Sequence, residues 1–212
     1  MRVIVTRRVW IIIGSSFALL AIAGWWLAGR SPHWSVTGDC PDQLGTDPAR
    51  AERIVAQLGR VAAGRALLDR APQPLNVCFT QGALGVVRSD GVFVLPATWE
   101  DAEVAARLGH LLLHRIEGPP LPDSIPEDAD CSLLVQRAVR AEVEAHLLEA
   151  SLRRELGVTR ARDALAFEAA LWDAPPGERA SVVERFLTTS QTRPSLAAQY
   201  EQRCRTEQRE AK

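Results

Sequence analysis

The pattern of apolar and polar positions after residue 46 predicts a helix, then a small sheet, then a helical C-terminal part. Asp47 and Pro48 are typical of a helix start, and the first helical pattern continues to about Arg70. The turn at Ser89-Asp90-Gly91 predicts a hairpin. The predicted strands are Leu75–Thr80, Leu84–Arg88 and Val92–Leu95, and the later helices are 98–116, 130–156, 160–173, 176–188 and 194–209. The fold class is therefore α+β and mostly helical, with a small antiparallel sheet.

The N-terminal part carries an uninterrupted run of 21 uncharged residues, Val9 to Gly29. A helix of this length spans the roughly 30 Å of bilayer hydrocarbon. Arg7 and Arg8 precede the run and two tryptophans lie near its far end, so the positive-inside rule places the N-terminus in the cytoplasm. We expect a cytoplasmic N-terminus at 1–8, a single transmembrane helix at 9–29 that anchors the chain in a bacterial-type inner membrane, a linker at 30–46 and an extracytoplasmic domain at 47–212.

A cleaved signal peptide is the alternative interpretation of the same run. Ala21-Ile22-Ala23 fits a small-x-small cleavage site, although the apolar run continues past it. A lipoprotein is disfavoured because Leu27-Ala28-Gly29-Arg30 offers no cysteine to acylate. Both interpretations export the domain.

All four cysteines follow the apolar run, and an even number in an exported domain predicts two disulfides. Four cysteines allow three pairings. We favour Cys40 with Cys78 and Cys131 with Cys204, although the sequence does not establish this choice. The wide spacing, without a C-x-x-C pair, argues against a cysteine zinc site or a thioredoxin-like centre.

Charge narrows the function classes. The chain has 25 Lys+Arg against 26 Asp+Glu, a net charge of -1, and this balance argues against a nucleic-acid partner. The sequence also lacks a glycine-rich loop for phosphate binding and the G-x-S-x-G motif that carries a nucleophilic serine. The membrane and a protein of unknown identity are the partners that we expect.

Histidines supply the candidate chemistry. His110 and His114 stand four residues apart on the predicted helix 98–116, a spacing that lets two imidazoles bind one metal ion. On the next long helix, Glu142 and His146 fall inside the apolar arc, whereas Glu144 falls on the opposite side. A carboxylate that points into a core must be paired, protonated or bound to a cation. His146 could act as a fourth ligand or donate a hydrogen bond to Glu142, one turn earlier on the same helix.

A polar surface stripe explains the same pattern without a metal. Glu103, Arg107, His110 and His114 form one row at a spacing of three to four residues, which suits either an exposed helix face or a cleft. Thr98 is the predicted start of this helix, with Asp101 completing a variant of the capping box.

A hairpin sheet, a helix with His-x-x-x-His and a later helix with Glu-x-x-Ala together resemble the core of gluzincin-type zinc metallopeptidases. The resemblance covers about residues 75–156. It implies Zn²⁺ as the cofactor, with His110, His114 and Glu142 as metal ligands and Ala145 as the small residue that lets the two helices approach. The family motif is His-Glu-x-x-His, and Leu111 stands where the family has its catalytic glutamate, which acts as the general base.

The resemblance therefore implies a degenerate peptidase, a pseudoenzyme without a catalytic residue of its own. We expect it to act in binding or scaffolding at the cell envelope. Two alternatives stay open: an active zinc hydrolase with a non-standard base, for which Glu103 is a remote candidate, and a purely structural envelope protein.

Overall fold

The computed structural model describes residues 34–82, 85–159, 167–189 and 194–210. Along the chain, the strands and two helices come first, and further helices follow. The strands are β1 (Val36–Thr37), β2 (Leu75–Thr80), β3 (Val86–Val87) and β4 (Phe93–Pro96), and the helices are α1 (Pro48–Leu58), α2 (Ala62–Arg70), α3 (Asp101–Glu117), α4 (Cys131–Glu155), α5 (Glu168–Asp173), α6 (Arg179–Thr188) and α7 (Leu196–Glu210). The fold is thus α+β and mostly helical.

The sheet is mixed, so the predicted antiparallel sheet is wrong. The strand order is β1-β2-β4-β3, in which β1 and β4 both run parallel to β2. The hairpin at Gly91 does pair β3 with β4 antiparallel, as the turn residues predicted. The difference is explained by burial. The strands β2 and β4 are mostly apolar and occupy the centre of the sheet, where parallel strands are usually found. Val86 of β3 is exposed, as expected for a strand at the edge. Part of the segment predicted as a linker, 30–46, supplies β1.

The structure does not support the membrane-spanning part of the predicted fold class. Within the residues that it describes, each helix is too short or too polar to cross a bilayer. The predicted transmembrane helix at 9–29 lies outside those residues.

Helix boundaries differ from the predicted ones where a local contact intervenes. The first helical stretch is divided into α1 and α2 after Leu58, where the ring of Trp34 fills the space in which a side chain at Gly59 would lie. The helix α3 begins at Asp101 rather than Thr98. Glu100 caps it, and the Glu103 carboxylate accepts a hydrogen bond from the Glu100 backbone N–H at 3.3 Å.

The helix α3 is the centre of the molecule. It packs on α1, α2 and the sheet, and its other side packs along α4. Every residue from Glu103 to Leu112 is therefore buried, as expected for a helix that is covered on all sides. The main core cluster contains Ile54, Leu58, Leu68, Leu75, Val77, Leu95, Val104, Leu108, Leu111, Leu112 and Leu152.

Two disulfides join separate elements of the fold. Cys40 is bonded to Cys78 on β2, and Cys131 at the start of α4 is bonded to Cys204 on α7. This confirms the favoured pairing. Two disulfides indicate an oxidising, extracytoplasmic compartment.

Candidate metal site between α3 and α4

The three predicted ligands meet between the two central helices. The Nε2 atoms of His110 and His114 lie 3.2 Å apart on α3. Across the helix pair, Oε2 of Glu142 on α4 lies 3.6 Å from each of these nitrogens. The two buried histidines and the partly buried Glu142 form a group that could hold a metal ion.

The histidine row does not form a surface stripe. His110 is 2% exposed and His114 is 7% exposed, and Glu103 and Arg107 of the same row are also buried. The row faces α4 and the sheet rather than solvent. The alternative of an exposed polar face is therefore wrong, and its polar groups must find partners inside the protein.

Small residues allow the two helices to approach each other at this level. A Cβ atom added to Gly109 would lie 2.3 Å from Cδ1 of Leu152 on α4, so the Leu152 side chain occupies the space that a larger residue would need. Ala145 on α4 is fully buried, in agreement with the small residue expected at this position. The close contact brings side chains of both helices to one point.

The donor atoms fit a small tetrahedral ion. Zinc bonds to nitrogen and carboxylate oxygen are about 2.0–2.2 Å long, which separates two ligands of a tetrahedral site by about 3.3–3.6 Å. The three measured separations are 3.2, 3.6 and 3.6 Å. Two imidazoles and a carboxylate are also a donor set that zinc accepts.

Glu149 orients the first of the histidines. Its Oε2 lies 3.1 Å from Nδ1 of His110 and accepts a hydrogen bond from Arg107 at 3.0 Å. An ionised carboxylate only accepts hydrogen bonds, so Nδ1 of His110 donates one to Glu149, which is the arrangement of an imidazole that binds a metal through Nε2. A carboxylate behind a histidine in this way is the usual arrangement around metal ligands.

Two arginines in turn hold Glu149. Burial raises the pKa of this carboxyl group, but Arg107, with support from His110 and Arg153, lowers it well below its usual range. Arg153 contacts the second oxygen at 3.0 Å and reaches Glu168 at 3.3 Å. His110, His146 and Glu149 form a second group with metal-ligand spacing, but the arginines already occupy its carboxylate, and we assign it a supporting role.

His146 lies between the two acids without bonding to either of them. Its Nε2 is 3.9 Å from Glu142 and its Nδ1 is 3.9 Å from Glu149. Burial, followed by the nearby His110, lowers the pKa of His146 to about 3, so its ring is neutral at physiological pH. Its ring also packs edge-on against Phe167. It is a neighbour of the site rather than one of the three converging donors.

The other carboxylate oxygen of Glu142, Oε1, accepts a hydrogen bond from a third helix. The hydroxyl of Tyr200 on α7 donates a hydrogen bond to Oε1 of Glu142 at 2.8 Å. Burial raises the pKa of Tyr200, and the Glu142 carboxylate raises it further, so the phenol keeps its proton. Burial also raises the pKa of Glu142, but the imidazoles of His110 and His114 lower it by more, and the carboxylate is ionised.

The position of the missing base and the substitute candidate Glu103 are both engaged elsewhere in the fold. Leu111, where the resemblance places the catalytic glutamate in other proteins, is 3% exposed and packs in the main core cluster. Glu103 accepts a hydrogen bond from the helix cap, and its role in the structure is to start α3.

Sequence reasoning missed Glu149, Arg153 and Tyr200. The helical pattern did contain a signal for the first two. Counted from Val135, Glu149 falls about 40° short of four full turns and Arg153 completes five turns, so both lie in the same apolar arc as Glu142. No comparable signal exists for Tyr200, because its partner lies 58 residues away.

No protein-family model, curated protein or solved structure matches this chain.

Proposed function

We propose that this chain is an extracytoplasmic zinc-binding protein whose peptidase-like domain acts by binding or scaffolding at the cell envelope, not by hydrolysis. The observation that carries the proposal is the convergence of His110, His114 and Glu142 at the separations of a tetrahedral zinc site. These residues come from two helices, so an ion held by them would join α3 to α4. A zinc ion in this position supplies a Lewis acid.

The surrounding residues favour a binding role. General acid–base groups contribute roughly 10²–10⁴-fold to rates, and hydrolysis at such a site needs one within reach of the attacking water. Leu111 packs in the core and Glu103 is engaged at the helix start. Glu149 is ionised, but it lies behind His110 and is held by two arginines. These observations support the pseudoenzyme over the active hydrolase.

Metal titration of the purified full chain tests this proposal. The protein is stripped with a chelator, returned to Zn²⁺ and assayed for bound metal per chain. We expect one zinc ion in the wild type and a weakening well beyond about 100-fold in His110→Ala and Glu142→Gln, because removing a ligand costs more than removing an outer partner. Glu144→Gln is the matched control, since Glu144 is exposed on the same helix two residues away.

Two results would overturn the proposal. A wild-type chain that binds no zinc, or binds it equally well in Glu142→Gln, removes the site. Peptide hydrolysis that depends on zinc and on His110 would show that the chain is an enzyme and would remove the binding role.

A further inference from the structure

Tyr200 and the Cys131–Cys204 disulfide connect the same two helices. Tyr200 and Cys204 lie four residues apart on α7, and their partners Glu142 and Cys131 both lie on α4. Eleven residues separate the two partners on α4, which is about 20° from three full turns, so both point from one face toward α7. The hydrogen bond and the disulfide are thus two connections across one helix contact.

The disulfide is the covalent attachment of α7. In α7, which lies entirely within the described residues, Cys204 alone is fully buried. At the start of the helix, Leu196 and Ala197 pack, partly buried, against a second apolar cluster. Near its end, Gln208 donates a hydrogen bond to the Ala129 carbonyl at 2.7 Å, and Arg203 donates one to the Pro122 carbonyl at 3.2 Å. The disulfide lies one turn from Tyr200, so it is the attachment that bears most directly on the position of Tyr200.

The Tyr200 hydroxyl also decides how Glu142 faces the histidines. It occupies Oε1, which leaves Oε2 as the oxygen that lies 3.6 Å from both His110 and His114. Carboxylate ligands are normally hydrogen-bonded through an outer partner, and loss of such a partner weakens metal binding by about 10–100-fold.

We infer that Tyr200 is a positioning residue for metal binding by Glu142, and that the Cys131–Cys204 disulfide holds it there. The inference rests on the proposed function and deepens it. It makes metal affinity depend on one of the two disulfides and not on the other, because Cys40–Cys78 joins the N-terminal segment to β2.

Zinc affinity, measured by competition with a chromophoric chelator, tests the positioning role. We expect Tyr200→Phe to bind zinc about 10–100-fold more weakly than the wild type. Glu201→Gln is the matched control on α7, because Glu201 is exposed and pairs only within its helix. Co²⁺ is the second probe: its visible spectrum reports the ligand field, and it should change in Tyr200→Phe but not in Glu201→Gln.

Paired cysteine variants test the anchor. Replacing Cys131 and Cys204 together by alanine should weaken zinc binding to the same degree as Tyr200→Phe, whereas replacing Cys40 and Cys78 should leave the affinity unchanged. Should the first double variant fail to fold, Tyr200→Phe still decides the inference.

The outcomes separate the two proposals. Zinc binding by the wild type with unchanged affinity and spectrum in Tyr200→Phe overturns the inference and leaves the proposed function standing. Equal losses in both double cysteine variants overturn the role of the disulfide as a specific anchor. No zinc binding by the wild type overturns both proposals.

Discussion

Replacing Glu149 by glutamine removes the negative charge at the centre of the buried ion network. The Glu149 side chain is 5% exposed and contacts Arg107 and Arg153, each at 3.0 Å. Arg153 retains Glu168 as a partner, but burial raises the pKa of Glu168 and so disfavours its charge. The other acceptor of Arg107 is the uncharged backbone carbonyl of Gly85, at 3.0 Å.

The change therefore leaves one buried guanidinium without a counter-charge. Breaking a buried pair by removal of one partner typically lowers the free energy of unfolding by about 3–5 kcal/mol. Glutamine keeps the shape of the side chain, so little of this loss would come from packing. The exposed pair Arg205–Glu201 provides the comparison: Glu201→Gln should lower the free energy of unfolding by about 0.2–1 kcal/mol.

Equilibrium urea unfolding of the metal-free, fully oxidised protein measures both values. Equal slopes against urea concentration are needed for the two midpoints to be compared as stabilities. A loss for Glu149→Gln no greater than that for Glu201→Gln would refute the reasoning, because it would mean that Arg107 tolerates burial without its acid.

Two further predictions concern the same region. The free energy of unfolding of the metal-free wild-type protein should fall as the pH falls from about 6.5 toward 3. In that range His146 is protonated in the unfolded chain but neutral in the folded protein, where its pKa is about 3. This one group should lower the free energy of unfolding by about 1.4 kcal/mol per pH unit. His146→Phe should lessen that slope, and parallel unfolding curves for the two proteins would contradict the assignment. Leu111→Glu should lower the free energy of unfolding by several kcal/mol and confer no peptidase activity, because it places a carboxylate in the core. Leu133→Glu, at a position 44% exposed, is its control, and newly gained hydrolysis in Leu111→Glu would show that residue 111 faces a cleft.

The convergence of His110, His114 and Glu142 between two helices could be predicted because the relevant pattern is local. The spacing of His110 and His114 fixes their common face, and the position of Glu142 in an apolar arc marks it as a buried acid that needs a partner. The same arc contained Glu149, which the prediction overlooked. Here the information was present in the periodicity.

Other features depend on contacts that no local pattern encodes. The alternation of apolar residues and the turn residues specify the β3–β4 hairpin. The pairing of β4 with β2 joins strands that are separated in the sequence, so no local pattern predicts it. This parallel pairing makes the sheet mixed. The hydrogen bond from Tyr200 likewise depends on where α7 docks. The helix α3 begins at Asp101 and not at the predicted Thr98, because the side chains of Glu100 and Glu103 form the capping box at that point.

The glycine contact between α3 and α4 has a consequence for tolerance to mutation. Gly109 precedes His110 in the chain, and a Cβ atom there would lie 2.3 Å from Cδ1 of Leu152, a fully buried side chain of the main core cluster. The end of that leucine would have to move, and a well-packed core leaves little room for it. Even an alanine at residue 109 should therefore disturb the packing beside the candidate site, although this residue contributes no donor atom to it.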